Sequence, residues 1–166
     1  MKKITLLVLL TLVPCLFFCS CLDGAKEVTL GDLSITLKTK YISVDGTDKG
    51  YDAVYTSTEG IVVSIMQESF ASLEGKVVDG QSSAVEYTEA VLDLYDQPDL
   101  SVSYEGANPC ISYTEDVNSI SYSYFIYILK GSDSFFRVQL ALPTEDLEER
   151  SADLEAISKS LHIRQE

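Results

Sequence analysis

ISYSYFIYILK (120–130), GSD (131–133) and SFFRVQLAL (134–142) form the stretch whose reading decides the fold. Two runs rich in β-branched and aromatic residues flank Gly131-Ser132-Asp133, and this is the clearest β-hairpin in the chain. In the first run Tyr124, Ile126 and Ile128 alternate with Phe125, Tyr127 and Leu129, so both faces are apolar. A strand of that kind lies in the middle of a sheet covered on both sides. The rest of the chain must therefore supply two covers.

Working outward, shorter alternating runs surround this hairpin. Val28 and Leu30, then Leu33, Ile35 and Leu37, flank Gly31-Asp32 and read as two strands around a tight turn or as one bulged strand. Residues 51–57 and 61–68 are separated by Thr58-Glu59-Gly60, a second hairpin signal; Val102 with Tyr104 and Ile111 with Tyr113 suggest two more strands. The covers are helical. Ser83 followed by Glu86 has capping-box spacing, and Ala84, Tyr87, Val91, Leu94 and Tyr95 recur at helical intervals up to Asp96. Pro143-Thr144 introduces a second helix with Glu145 and Asp146 in its first turn, where the helix dipole favours acids. Leu147, Leu154, Ile157 and Leu161 give it one apolar stripe, and Leu161-His162-Ile163 closes the chain as a short edge strand. The expected fold is α+β, a single antiparallel β-sheet flanked by a helix on each face, an α/β/α sandwich.

Several of these stretches together are similar to PsbP/DcrB-type lipoproteins: the early Ser-Ile-Thr-Leu strand at 34–37, the early hairpin, the helix at Ser83, the long aromatic hairpin from Ile120 to Leu142, and the closing Ile-Ser-Lys-Ser-Leu at 157–161. The resemblance runs from Asp32 to Ile163. It implies a PsbP-like three-layer sandwich with an accessory or binding role beside a membrane, and it carries over no catalytic residues.

The N-terminus is read as an export signal. Met1-Lys2-Lys3 precedes an apolar run of fifteen residues from Ile4 to Phe18, shorter than the roughly 20 that span a bilayer. Phe18-Cys19-Ser20-Cys21 matches a bacterial lipobox best at Cys21, although Phe18 replaces the usual leucine. The expectation is a signal peptide over 1–20, a tether over 21–27 lipidated at Cys21 with palmitate-type acyl chains, and one PsbP-like domain over 28–166, at the cell membrane or outer membrane and facing the extracytoplasmic side. Several acyl chains on one cysteine hold a protein essentially permanently.

The formal charge of −14 becomes −16 once Lys2 and Lys3 leave with the signal. Such a polyanion lacks the basic footprint that phosphate backbones require, so nucleic acid is excluded as a partner. An envelope protein partner or a cationic ligand fits the charge, and the anchor makes the membrane itself a contact. Once Cys15 and Cys19 leave and Cys21 carries lipid, Cys110 stays unpaired, and its apolar neighbours Ile111 and Tyr113 mark it as a structural thiol. Of ten tyrosines, Tyr113, Tyr122 and Tyr124 fall on or near central strands and read as core.

Catalytic signatures are sparse. No Walker loop, Cys-x-x-Cys, paired-histidine motif or Gly-x-Ser-x-Gly elbow occurs. His162, the only histidine, reads as an edge residue; its alternative is a general base paired with a serine in an envelope hydrolase. Asp45-Gly46-Thr47-Asp48-Lys49-Gly50 places a glycine sixth, as calcium loops do, but Lys49 occupies the fifth position, where an oxygen ligand belongs. Asp93, Asp96 and Asp99 straddle Pro98 and read as a polar helix end or a shared cation site. The expected function is thus a lipid-anchored binding or accessory module that performs no catalysis and needs no cofactor or metal, with the hydrolase and a calcium-responsive module as alternatives.

Overall fold

The computed structural model describes residues 24–95 and 97–165. The signal segment, Cys21 and Asp96 lie outside the described residues.

Strands β1 (Ala25–Leu30) and β2 (Leu33–Lys38) form an antiparallel hairpin around Gly31, whose φ of +56° glycine adopts at no steric cost. Of the two readings open for this segment, the two-strand one holds. Next come β3 (Ile42–Val44), β4 (Ala53–Thr56) and β5 (Val62–Ser69), with β4 and β5 joined through the predicted turn. Helix α1 (Ala84–Leu92) starts at the predicted capping box: Ser83 Oγ accepts from the Glu86 N–H at 3.2 Å, and the Glu86 carboxylate accepts from the Ser83 N–H at 2.7 Å. The helix ends before the expected Asp96, because the chain tightens into a turn after Val91 and leaves Leu94 67 % exposed rather than on the core stripe.

Strands β6 (Ser101–Ser103), β7 (Cys110–Val117), β8 (Ile120–Lys130) and β9 (Ser134–Pro143) follow, the last two pairing in register from Tyr122↔Pro143 to Lys130↔Phe135. A 3₁₀ turn at Thr144–Asp146 leads into α2 (Leu147–Ser160), and β10 (His162–Ile163) ends the fold.

The single sheet expected from sequence is corrected: there are two. Seven strands form the main sheet in the order β3-β4-β5-β9-β8-β7-β6, and a second sheet of three has the order β1-β2-β10. The physical reason lies in β2. Leu33, Ile35 and Leu37 are fully buried on one side while Thr36 on the other is exposed, so β2 has one apolar face to bury and stacks on the main sheet instead of joining its plane. With α2, this small sheet covers one face of the main sheet, where Val63, Ile65, Val138, Leu140 and Leu142 meet Leu154 and Ile157. On the opposite face α1 and the loop before it pack Tyr87, Val91, Leu73 and Val78 against Ile111, Ile126, Ile128 and Phe135. Both faces of β8 are therefore covered, as its composition requires. At about 25 cal/mol per Å², full burial of each such side chain contributes roughly 1.5–3 kcal/mol.

The two sheets are clasped at their turns. Asp32 accepts from the Ser132 N–H at 2.7 Å through its carboxylate and from the Arg164 N–H at 2.8 Å through its carbonyl, while Arg164 Nη2 donates to the Gly31 carbonyl at 2.7 Å. Gly131 is needed there for space: a Cβ on it would lie 2.6 Å from the Asp32 carboxylate and 2.8 Å from the Phe136 ring.

Candidate functional site

Helix α2 packs by its apolar stripe, so its flanks and outer face remain open. Along one flank runs a groove of about 470 Å³ between α2 and β2, floored by Leu37, Tyr41 and Ile157 and edged by Ala25, Ala156 and Lys159. Ser160 fixes the helix end to the strand, its Oγ accepting from the Thr36 N–H at 3.0 Å. The rim is a charge network. Lys38 pairs with Asp153 at 2.5 Å, Lys40 with Glu59 and with Asp153 at 3.7 Å, and Arg150 with Glu59 at 3.0 Å and Glu149 at 3.2 Å. Burial pushes the Asp153 carboxyl up, but the Lys38 hydrogen bond and the charges of Lys38, Lys40 and Arg150 outweigh it and hold the group below the usual aspartate range. Burial pushes Tyr41 up to about 12, with Asp153 and Glu59 adding to the effect, so its hydroxyl stays protonated and is no base.

Outside the groove, α2 and its leading turn expose Glu145, Glu148, Glu149 and Glu155, with Lys159 paired to Glu155 at 2.5 Å. On the other flank a second recess of about 430 Å³ is lined by Cys110, Phe125, Tyr127 and Ser158. Cys110, the one free cysteine among the described residues, is half-buried there, and burial pushes its thiol up from the ordinary range, away from a nucleophilic thiolate. The expected structural thiol is thus at the wall of a recess, not deep in the core.

The residues singled out in the sequence do not assemble into one site. His162 is exposed on β10, its Nδ1 2.9 Å from the Ser160 carbonyl oxygen, and the hydroxyl of Ser160 is engaged by the Ile157 carbonyl at 2.7 Å. The Asp45 carboxylate accepts from the N–H and hydroxyl of Thr47 at 3.0 and 2.8 Å, which organises the 3₁₀ turn Thr47–Lys49; these bonds hold the exposed group below the usual aspartate range. Asp48 belongs to the same turn. Asp93 caps the end of α1, whereas Asp99 accepts from the N–H and hydroxyl of Thr114 and ties its loop to β7. Among the described residues no group of three or more His, Cys, Asp or Glu is placed to hold a metal ion. Three tyrosines pack in a row instead, Tyr113 stacked on Tyr124 at 4.8 Å and tilted against Tyr95 at 5.8 Å, with Tyr113 buried and Tyr124 half-buried. Sequence reading missed the groove beside α2, because Lys38, Lys40 and Glu59 lie far in sequence from Arg150 and Asp153 and carry no common spacing.

No family model matches the chain, and no curated protein matches it in sequence. Solved structures of similar fold do exist. A structure from Bacteroides thetaiotaomicron VPI-5482 matches at 16% identity and a TM-score of 0.53, covering 87% of this chain and 50% of that one. LpqN of Mycobacterium tuberculosis, involved in cell envelope biogenesis, matches at 10% identity and a TM-score of 0.51, covering 86% and 91%. Cyanobacterial PsbP (CyanoP) of Synechocystis sp. PCC 6803 is similar at 12% identity and a TM-score of 0.47, covering 88% and 96%. The first two carry the likeness, which at these identities is one of fold alone. The chain is a mixed α+β protein with antiparallel sheets and two helices among its described residues.

Proposed function

We propose that this protein is a lipid-anchored, extracytoplasmic binding or accessory module of the bacterial cell envelope that holds a partner instead of transforming a substrate. The observation that carries the reading is the surface of α2, which joins an open, mainly apolar groove on one flank to exposed glutamates outside it. The apolar floor and the exposed glutamates of α2 outside it together suit a basic, amphipathic segment of an envelope protein: aliphatic side chains fill the groove, and cationic ones meet Glu148, Glu149 and Glu155. Its position supports the same reading. The groove begins at Ala25, four residues beyond the proposed acylation at Cys21, so a partner bound there is held at the membrane face. The likeness of fold to LpqN, itself involved in cell envelope biogenesis, is in keeping with such a role.

The test uses the full-length protein in its native membranes, cross-linked and captured at low and high ionic strength. Exposed charges are screened over about 10 Å at 0.1 M salt, so capture is expected to weaken as salt rises. Ala156→Arg, placed at the exposed edge of the groove, is expected to abolish it. Capture that ignores both salt and Ala156→Arg removes this reading. Turnover of generic ester or peptide substrates that disappears in His162→Ala replaces it with the hydrolase.

A further inference from the structure

Helix α1 is short. Its nine residues reach about 13.5 Å at 1.5 Å per residue, and they cover the part of the main sheet around Ile111, Ile126 and Phe135. The same face carries Arg137 on β9, between Phe135 and Gln139, with Met66 directly across on β5 and Ile128 across on β8. An arginine on an inward-facing position of a central strand is an expensive choice, because a cation withdrawn from water needs a charge partner or a full set of hydrogen bonds.

Arg137 has neither. The chain contains three arginines. Arg150 is paired with Glu59 and Glu149, and Arg164 donates to the Gly31 carbonyl. Arg137 instead donates to the Tyr95 hydroxyl at a long 3.4 Å and to the weak acceptor Met66 Sδ, while its Nε is buried without a hydrogen-bond partner. Glu68, the carboxylate whose charge it feels, is already engaged by the Tyr87 hydroxyl at 2.6 Å and by Lys76 at 3.1 Å. The guanidinium lines a recess of about 270 Å³ together with Tyr51, Tyr95, Tyr113 and Gln139, open beside the exposed Leu94.

We propose that this recess is a binding site for the carboxylate of a small aromatic or apolar monoanion. A carboxylate is the planar acceptor that matches the guanidinium fork and would take up the donors now poorly served. The tyrosine walls suit a ring or short aliphatic body, and a volume just below the usual roughly 300–1,000 Å³ of ligand pockets limits the occupant to a small molecule. One arginine on a chain of net charge −14 favours a single negative charge over a dianion. The site lies on the α1 face of the main sheet, whereas the groove beside α2 lies on the other, so the two readings stand independently.

The test titrates the full-length protein in mild detergent with 3-phenylpropionate, its neutral analogue 3-phenylpropanol, and phenyl phosphate, following the Nε–Hε cross-peak of Arg137 by NMR. With three arginines the peak is assigned by its loss in Arg137→Met. The carboxylate is expected to shift it, with binding at least tenfold weaker for the alcohol and for the phosphate. Binding of the carboxylate, followed through the tyrosine ring resonances, should fall at least tenfold in Arg137→Met. Met66→Glu sets a carboxylate opposite Arg137 in the strand register and should block the site equally while keeping the native circular dichroism, which covers the case of an unfolded Arg137→Met. Three results overturn the proposal: no shift at 10 mM carboxylate, carboxylate binding undiminished in a folded variant, or equal or tighter binding of the alcohol or the phosphate.

Discussion

Replacing Tyr87 by phenylalanine isolates one hydrogen bond in the core beneath α1. The Tyr87 ring is fully buried and stacks on Phe135 with centroids 4.2 Å apart and planes 18° apart, contacts that phenylalanine preserves. Only the hydroxyl is lost, and with it the 2.6 Å bond to Glu68 Oε2. Bonds to a charged group contribute about 1.5–3 kcal/mol. Because the Glu68 side chain keeps 26% of its exposure and its pairing with Lys76, the lower end applies, about 1.5 kcal/mol at pH 7. The loss should depend on pH. Burial alone would push the Glu68 carboxyl up, but the Tyr87 and Lys76 hydrogen bonds outweigh it and hold it below the usual glutamate range. A carboxyl lowered in the folded state contributes stability above its unfolded value, and that contribution fades as pH falls through the lowered folded value. The difference between wild type and Tyr87→Phe should therefore be full at pH 7 and shrink below about pH 4. Urea unfolding followed by circular dichroism at both pH values measures it. A difference under about 0.3 kcal/mol at pH 7, or one unchanged at pH 3, would refute the reasoning.

Three further outcomes are expected. Leu140→Ala, at a fully buried position of β9, should cost about 2–5 kcal/mol in the same unfolding assay, since the surrounding sheet and helix cannot close the cavity. Gly131→Ala should destabilise by more than about 1 kcal/mol through overpacking against Asp32 and Phe136, and Asp32→Ala in the same chain should relieve part of that cost, which a double-mutant cycle reads out. Cys21→Ala should move the protein from the membrane to the soluble fraction, with mass spectrometry of the wild type reporting a diacylglyceryl adduct at that residue; persistence in the membrane after signal cleavage would remove the anchor.

What was legible in the sequence was what local chemistry dictates. The Gly131 hairpin, the Ser83 capping box and the two-faced apolar pattern of β8 each state their structure within a dozen residues, and each is found in place. The separation of β1, β2 and β10 into their own sheet was less accessible. Alternation in β2 says that one face is buried, but whether that face stacks on a sheet or extends it depends on partners more than a hundred residues away, such as Leu154 and Ile157. Helix α1 stops early where the chain turns after Val91 and leaves the periodic Leu94 exposed, which the pattern alone does not reveal. The same holds for Arg137: one charged residue in SFFRVQLAL does not show what faces it until the pairing sets Met66 of β5 and Ile128 of β8 at its sides.

The open end of the β1–β2 hairpin and its clasped turn have a mechanical meaning. β1 is an edge strand whose ladder partner is β2, with Ala25 opposite Lys38 at the N-terminal end and Leu30 opposite Leu33 at the turn. A pull from the N-terminus directed away from the sheet first loads the bond between the Thr39 N–H and the Gly24 carbonyl, then the rungs of the ladder one after another, as a zip opens. The opening stops where Asp32 is held by Ser132 and Arg164, beyond which the load is shared with the long β8–β9 hairpin. Since β1 itself gives the core little beyond the half-buried Val28 and Leu30, the protein can yield several rungs under tension and reseal them without losing its main sheet.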